Sequence, residues 1–289
     1  MRLTVDAAAL GLVATTVRGP AGSIIARHTA VRGSTRATVL LHGAAGRWTT
    51  WTPILDAVSE PVLLDLPGFG DAQLQPGASL DAVCALIEQT LEQLGYDDWD
   101  LVGHSMGGFL ALHLAATTER VRSVGVISAT TWSVIDSVEH PVGNFRVLPA
   151  FTMLWSVMRL MRTGAIVRFA RRIGVLRLAV FPLFRHPFAV DASVITSLAT
   201  DVRPLAFSAA AEYVRGYRTE RWANIGCRVR AVQGDRDVFA RDEDLARLKG
   251  VIAHAEVRVI HDCGHFAAVE QPSAVIEALG LRSLQSGPN

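Results

Sequence analysis

Apolar residues along this chain fall into short runs that alternate with longer stretches of helical spacing. Runs rich in Val, Leu and Ile occupy Ala37–Leu41, Val62–Leu64, Leu101–Val102, Val124–Ile127, Arg228–Val232 and Val257–Ile260. Each is of strand length, and continuous runs fit strands covered on both faces rather than one. Between them, Thr49–Ser59, Leu80–Leu94, Met106–Thr117, Glu243–Lys249 and Ser273–Leu279 carry helix patterns. In the second of these the apolar positions are Leu80, Val83, Ala85, Leu86, Leu91 and Leu94, the stripe of a helix with one buried face. Strand and helix alternating with short joins imply right-handed crossovers and an α/β, doubly wound, mostly parallel sheet. The N-terminal stretch adds antiparallel edge strands broken at Gly19 and Pro20.

One interval breaks the alternation. From Trp132 to Arg221 no strand pattern appears, and the spacing is helical, so the expected organisation is a core of 1–131 and 222–289 with a helical cap inserted at 132–221. Ligands of open α/β sheets lie outside the carboxyl ends of the strands. An insertion leaving from that edge would roof the site.

Composition narrows the classes. The chain has 289 residues, 50% of them apolar and 19% charged, which fits a globular protein and excludes disorder. A net charge of +1, with Lys249 the sole lysine, gives no field that would gather nucleic acid. Cys84, Cys227 and Cys263 are odd in number and lack metal-ligand spacing, so reduced thiols and no structural metal are expected. Asp6 interrupts the start of any secretory signal, and the expected compartment is the cytoplasm. The uncharged stretch Leu101–Thr118 approaches transmembrane length, but its two histidines, Ser105 and three glycines read as strand, tight turn and buried helix.

The chemistry begins at Gly103-His104-Ser105-Met106-Gly107-Gly108, which follows a strand and opens an apolar helix. A serine hydroxyl is a poor nucleophile until it is raised into a site and given a base, and G-x-S-x-G performs the first task. Glycine-rich turns of this kind also bind phosphate, so the motif gains force only from the strand and helix around it. The base should follow the last strand. His265, in His261-Asp262-Cys263-Gly264-His265-Phe266, meets that requirement, with His261 its rival as either base or satisfied core residue. His104 is expected to pack against the sheet. The acid that orients the base comes from Gly234-Asp235-Arg236-Asp237, where Asp237 has room to turn back and Asp235 would cap the turn or pair with Arg236. Backbone amides for an oxyanion are expected from Met106, next to the nucleophile, and from Ala44 in the loop Leu41-His42-Gly43-Ala44-Ala45-Gly46, whose glycines alternatively just make a turn. Gly43, His104, Trp155 and Phe266 are the residues expected against substrate.

These motifs, with HGAAGRWTTW, Asp65-Leu66-Pro67-Gly68-Phe69-Gly70, GDRD and CGHFAAVEQP, lie in order between positions 41 and 272. Together they resemble the α/β-hydrolase superfamily, in the capped branch of esterases, C–C bond hydrolases, haloperoxidase-like enzymes and epoxide hydrolases. The resemblance implies the α/β-hydrolase fold, a triad of Ser105, Asp237 and His265, and Ala44 and Met106 as oxyanion amides. It disfavours epoxide and haloalkane chemistry, for which relatives carry Asp where this chain has Ser105.

The cap departs from any pattern of that family. Residues 141–190 hold eight arginines and no Asp or Glu, interleaved with Phe145, Phe151, Trp155, Phe169, Phe181, Phe184 and Phe188. Phe151, Leu154, Trp155, Met158 and Met161 recur at helical spacing, while Arg159, Arg162, Arg168, Arg171 and Arg172 could form a charged face. This is either a roof with solvated arginines or a basic amphipathic surface for membranes. The reading reached is a cofactor-independent serine hydrolase of an apolar ester. A C–C hydrolase or lyase with the same triad, or a receptor that binds and barely turns over, are its alternatives.

Overall fold

The computed structural model describes residues 3–44, 46–141, 143, 148–160, 169, 172–174 and 181–281. Eight strands form one sheet: β1 (Leu12–Gly19), β2 (Gly22–Thr29), β3 (Arg36–Leu41), β4 (Pro61–Asp65), β5 (Asp98–His104), β6 (Val121–Ile127), β7 (Arg228–Gly234) and β8 (Glu256–Ile260). Their spatial order is β1-β2-β4-β3-β5-β6-β7-β8. The hairpin β1–β2 joins β4 antiparallel, and every pair from β4 to β8 is parallel. Each of the six apolar runs named from the sequence lies within a strand of this sheet.

Burial on both faces explains the continuous runs. In β3, Val39 and Leu41 enter one core cluster and Leu40 the other; in β5, Leu101 and Val102 divide the same way. Helices α1 (Leu80–Gln93) and α2 (Met106–Thr117) pack with the first cluster. The second is closed by Trp48, Trp51 and Ile54 and by Val275 and Leu279 of a C-terminal helix, Pro272–Leu279. The segment expected as an α-helix at Thr49–Ser59 is instead a run of 3-10 turns, Trp48–Ala57. Pro53 lies inside it, and a proline lacks the N–H that an α-helical ladder would need there.

Chain order and spatial order part company at β3. From there the chain moves to β4 on one side and then crosses to β5 on the other. The loops after β3 and β5 diverge, which opens a crevice at the carboxyl edge. Between β6 and β7 the described residues hold helical elements only: α3 (Trp132–Glu139), α4 (Pro149–Leu160), α5 (Ala192–Thr200), α6 (Pro204–Tyr213) and short 3-10 turns. After β7 comes α7 (Asp242–Val251). Met161, Arg162, Arg168 and Arg171, assigned above to the stripe and charged face, lie outside the described residues, as do Phe145 and the tail 285–289.

Candidate active site

Ser105 stands between β5 and α2 with φ 52° and ψ −118°, a conformation that costs a residue with a side chain about 1–3 kcal/mol. Surrounding hydrogen bonds hold it there. Its N–H donates to the Ile127 carbonyl at 3.0 Å, and its carbonyl accepts from Gly108, Phe109 and Thr130 at 2.9–3.1 Å. The glycines of the motif are needed for space: a Cβ on Gly103 would lie 2.2 Å from the Gly107 carbonyl oxygen, and one on Gly107 would lie 1.9 Å from that of Leu41. The elbow is therefore wedged against the end of β3, and the two loops that the sheet topology separates meet here.

His265 lies in the loop after β8 with its ring buried. Its Nδ1 is 2.9 Å from both carboxylate oxygens of Asp237, which is fully enclosed. A carboxylate only accepts, so the Nδ1–H of His265 is the donor. Burial pushes the Asp237 carboxyl up, but the charge and hydrogen bond of His265, with the Phe239 N–H, outweigh this and leave it below its ordinary value. The rivals pair with one another instead. Asp235 accepts from Cys263 N–H at 3.2 Å and lies 3.5 Å from the Nδ1 of His261, whose side chain is 90% exposed. His261 is thus a surface residue, not a core one, because it follows the last residue of β8 and turns outward.

A cleft opens between this edge and the helices above it. Gly43, Ala44, His104, Ser105, Met106, His265 and Phe266 all line it. Neither the Ala44 nor the Met106 amide finds an acceptor among the described residues, so both are free to donate. His42 fixes the first of these loops: its Nδ1–H donates to the Gly43 carbonyl at 2.8 Å, and its Nε2 accepts from Leu66 N–H at 3.1 Å. Burial lowers its pKa and keeps it neutral.

His104 is buried, with its ring against those of His265 and Phe266. Its Nε2–H donates to the backbone carbonyl of His265 at 2.9 Å, with the two rings 4.7 Å apart. Burial, with the neighbouring His265, pushes it down to about 3. Trp155 is a correction: it is buried in the core and does not line the cleft, whereas Phe151, one turn earlier in α4, does. Sequence reasoning missed Phe207, Ala210, Val214 and Phe239 on the apolar wall. It also missed a strap from the segment 183–186. The Leu183 carbonyl accepts from His265 N–H at 2.8 Å, and the Glu270 carboxylate accepts from the N–H groups of Gly264 at 2.9 Å and Arg185 at 2.8 Å. Only the position of Glu270 within the run CGHFAAVEQP hinted at it.

A model of the alpha/beta hydrolase family matches residues 38–278. The biotin biosynthesis bifunctional protein BioHC of Cellvibrio japonicus is 42% identical over 107 residues, which is 36% of this chain and only 20% of that protein's length. A 2-hydroxy-6-oxononadienedioate/2-hydroxy-6-oxononatrienedioate hydrolase of Klebsiella pneumoniae subsp. pneumoniae is 25% identical over 255 residues, 80% of this chain and 81% of that one. Among solved structures, a thermophilic esterase from Thermogutta terrifontis superposes with TM-score 0.69 at 20% identity, covering 94% of this chain and 99% of the other.

Proposed function

Since the chain belongs to the alpha/beta hydrolase family, we propose that this hydrolase is a serine esterase that cleaves a carboxylic ester of a neutral, apolar small molecule. The observation that carries the reading is the buried pair of Asp237 and His265, joined at 2.9 Å, with the His265 ring opening onto the same apolar cleft as Ser105. In the proposed reaction Nε2 of His265 takes the Ser105 proton as Oγ attacks the ester carbonyl carbon. The oxyanion is held by the amides of Ala44 and Met106. The imidazolium then returns the proton to the departing alkoxide, and a water deprotonated by His265 hydrolyses the acyl-enzyme. Asp237 holds the tautomer and balances the imidazolium.

Carbon–carbon hydrolysis with the same triad is the second reading, favoured by the relative from Klebsiella pneumoniae. That relative's name denotes a dicarboxylate, and a dianion needs cationic partners. Among the described residues, no arginine or lysine lines this cleft, which supports the ester. Free Cys84, Cys227 and Cys263 support a reducing, cytoplasmic setting. Ser105→Ala is expected to abolish fluorophosphonate labelling and to lower turnover of p-nitrophenyl esters by about 10⁴-fold or more. Undiminished labelling would place the nucleophile elsewhere, and faster cleavage of a vinylogous diketone than of any ester would favour the second reading.

A further inference from the structure

The loop that carries Ala44 is fastened from two sides. Toward the sheet, Trp48 N–H donates to Oδ1 of Asp65 at 2.8 Å, and Oδ2 of the same carboxylate pairs with Arg27 at 2.7 Å. Two short turns close the loop on itself. Gly46 N–H donates to the Gly43 carbonyl at 2.9 Å, and the N–H and hydroxyl of Thr50 donate to the Arg47 carbonyl at 3.0 and 2.7 Å. Arg47 stands where these turns join, three residues beyond Ala44, and its side chain reaches to the helical segment above. There its Nε lies 3.4 Å from Oδ2 of Asp201, the residue that ends α5.

Stability does not account for an ion pair in this place. The Asp201 side chain is only 4% exposed and that of Arg47 25%, and removing such charges from water offsets most of their attraction. Burial pushes the Asp201 carboxyl up, against the charges of Arg47 and Arg203 and a hydrogen bond of 3.3 Å from the Ser197 hydroxyl. Arg203 is itself engaged with backbone, donating to the carbonyls of Thr200 at 3.0 Å and Gly70 at 3.3 Å. What the pair of Arg47 and Asp201 does is geometric: it holds the end of α5 to the loop that follows β3. Neither residue lines the cleft, so any influence on the chemistry passes through that loop. We propose that Arg47 and Asp201 are positioning residues, a latch that keeps the Ala44 amide aimed at the developing oxyanion. The inference rests on the reading of the chain as a serine esterase with Ala44 as an oxyanion donor. Removing one such donor costs about 10²–10³ in rate, and misplacing a catalytic group by about 1 Å costs about 10²-fold. An amide that is loosened while the apolar walls stay in place should cost less, and in kcat rather than KM.

The test compares steady-state hydrolysis of a p-nitrophenyl ester with inhibition by a trifluoromethyl ketone, whose adduct with a serine carries an oxyanion like that of the reaction. Asp201→Asn removes one charge and leaves Arg47 partly exposed to water. It is expected to lower kcat by about tenfold, to keep KM within about twofold and to weaken the ketone by about tenfold. Arg47→Gln, in a different element, should do the same, and Arg47→Lys, which keeps the charge, should lose less. The double variant Arg47→Gln with Asp201→Asn should be no slower than the slower single one, because either change alone opens the latch. Thermal unfolding midpoints report folding separately, and Arg47→Lys, with the buried carboxylate still paired, carries the comparison if Arg47→Gln does not fold. A loss confined to Asp201→Asn would make that residue an end of α5 and nothing more. Losses that multiply in the double variant would make the two residues independent, and a raised KM with kcat and ketone affinity intact would place the effect on the cleft wall. Each of these results overturns the proposal. The esterase reading fails by a separate sign, full turnover in Ser105→Ala or no inhibition of the wild-type chain by the ketone, and the latch falls with it.

Discussion

At Ser105 the strained backbone persists because the space around it is already filled. Gly107 shows the tolerance: a methyl group there would sit 1.9 Å from the Leu41 carbonyl oxygen and 2.8 Å from that of His42. Backbone at the end of a central strand cannot withdraw as a flexible side chain would. Gly107→Ala should therefore destabilise by about 3 kcal/mol or more in urea unfolding, at the upper end of overpacking costs. His104 is the other residue that joins distant parts, tying the loop of Ser105 to the His265 carbonyl. His104→Phe keeps the ring and loses the donor, and is expected to slow fluorophosphonate labelling of Ser105 by about tenfold, with partial rescue by His104→Asn. The elbow was legible in the sequence because its demands are local: a strand, tight glycines and a helix within a few residues. Position along the turn favoured Asp237 over Asp235 without fixing the choice. Both occupy one turn, and only the packing turns one toward His265 and the other toward His261. Trp155 was misread for a related reason, since helical spacing marks a buried side without saying whether core or cleft covers it.

Among elements, the sheet was easier to read than what lies above it. Strands buried on both faces announce themselves as unbroken apolar runs, and βαβ handedness then restricts the topology. Nothing comparable reveals the strap. Its partners, Glu270 with Arg185 and Leu183 with His265, lie some eighty residues apart in sequence and meet mainly through backbone groups that any residue carries. The strap joins the segment between β6 and β7 to the loop that carries His265. Glu270→Ala would leave the amides of Gly264 and Arg185 without their acceptor, at a cost of about 1–3 kcal/mol for each that stays dry. The expected outcome is a lower kcat with little change in KM, because the cleft wall remains while His265 loses its anchor. Glu270→Gln, which retains an acceptor oxygen, should recover much of the loss. Steady-state kinetics on a soluble ester for the two variants separates anchoring of the base from general loosening, which would depress both equally.

Over the whole molecule, buried carboxyls divide by the sign of their shift. Asp237 is held below its ordinary value despite burial, by His265 and the Phe239 N–H. Asp244, at the start of α7, is pushed up by burial, which outweighs the Thr131 hydroxyl at 3.0 Å and the Ser133 N–H at 3.2 Å that its Oδ2 accepts. Linkage gives the two opposite consequences. A depressed folded pKa contributes stability that is present above the unfolded value, about 3.9 for Asp, and is lost as pH falls through the folded one. A raised pKa contributes stability that is complete below the unfolded value and is lost as pH rises through the folded one. Asp237→Asn should therefore be less stable than wild type at neutral pH, with the gap closing below about pH 4. Asp244→Asn keeps a single oxygen able to accept both donors and never ionises. Its stability relative to wild type should rise with pH from about 4 and level off above the raised pKa. Thermal midpoints of the three proteins at matched pH values give the two difference curves, and slopes of the same sign would show that the environments of these carboxyls are not as described.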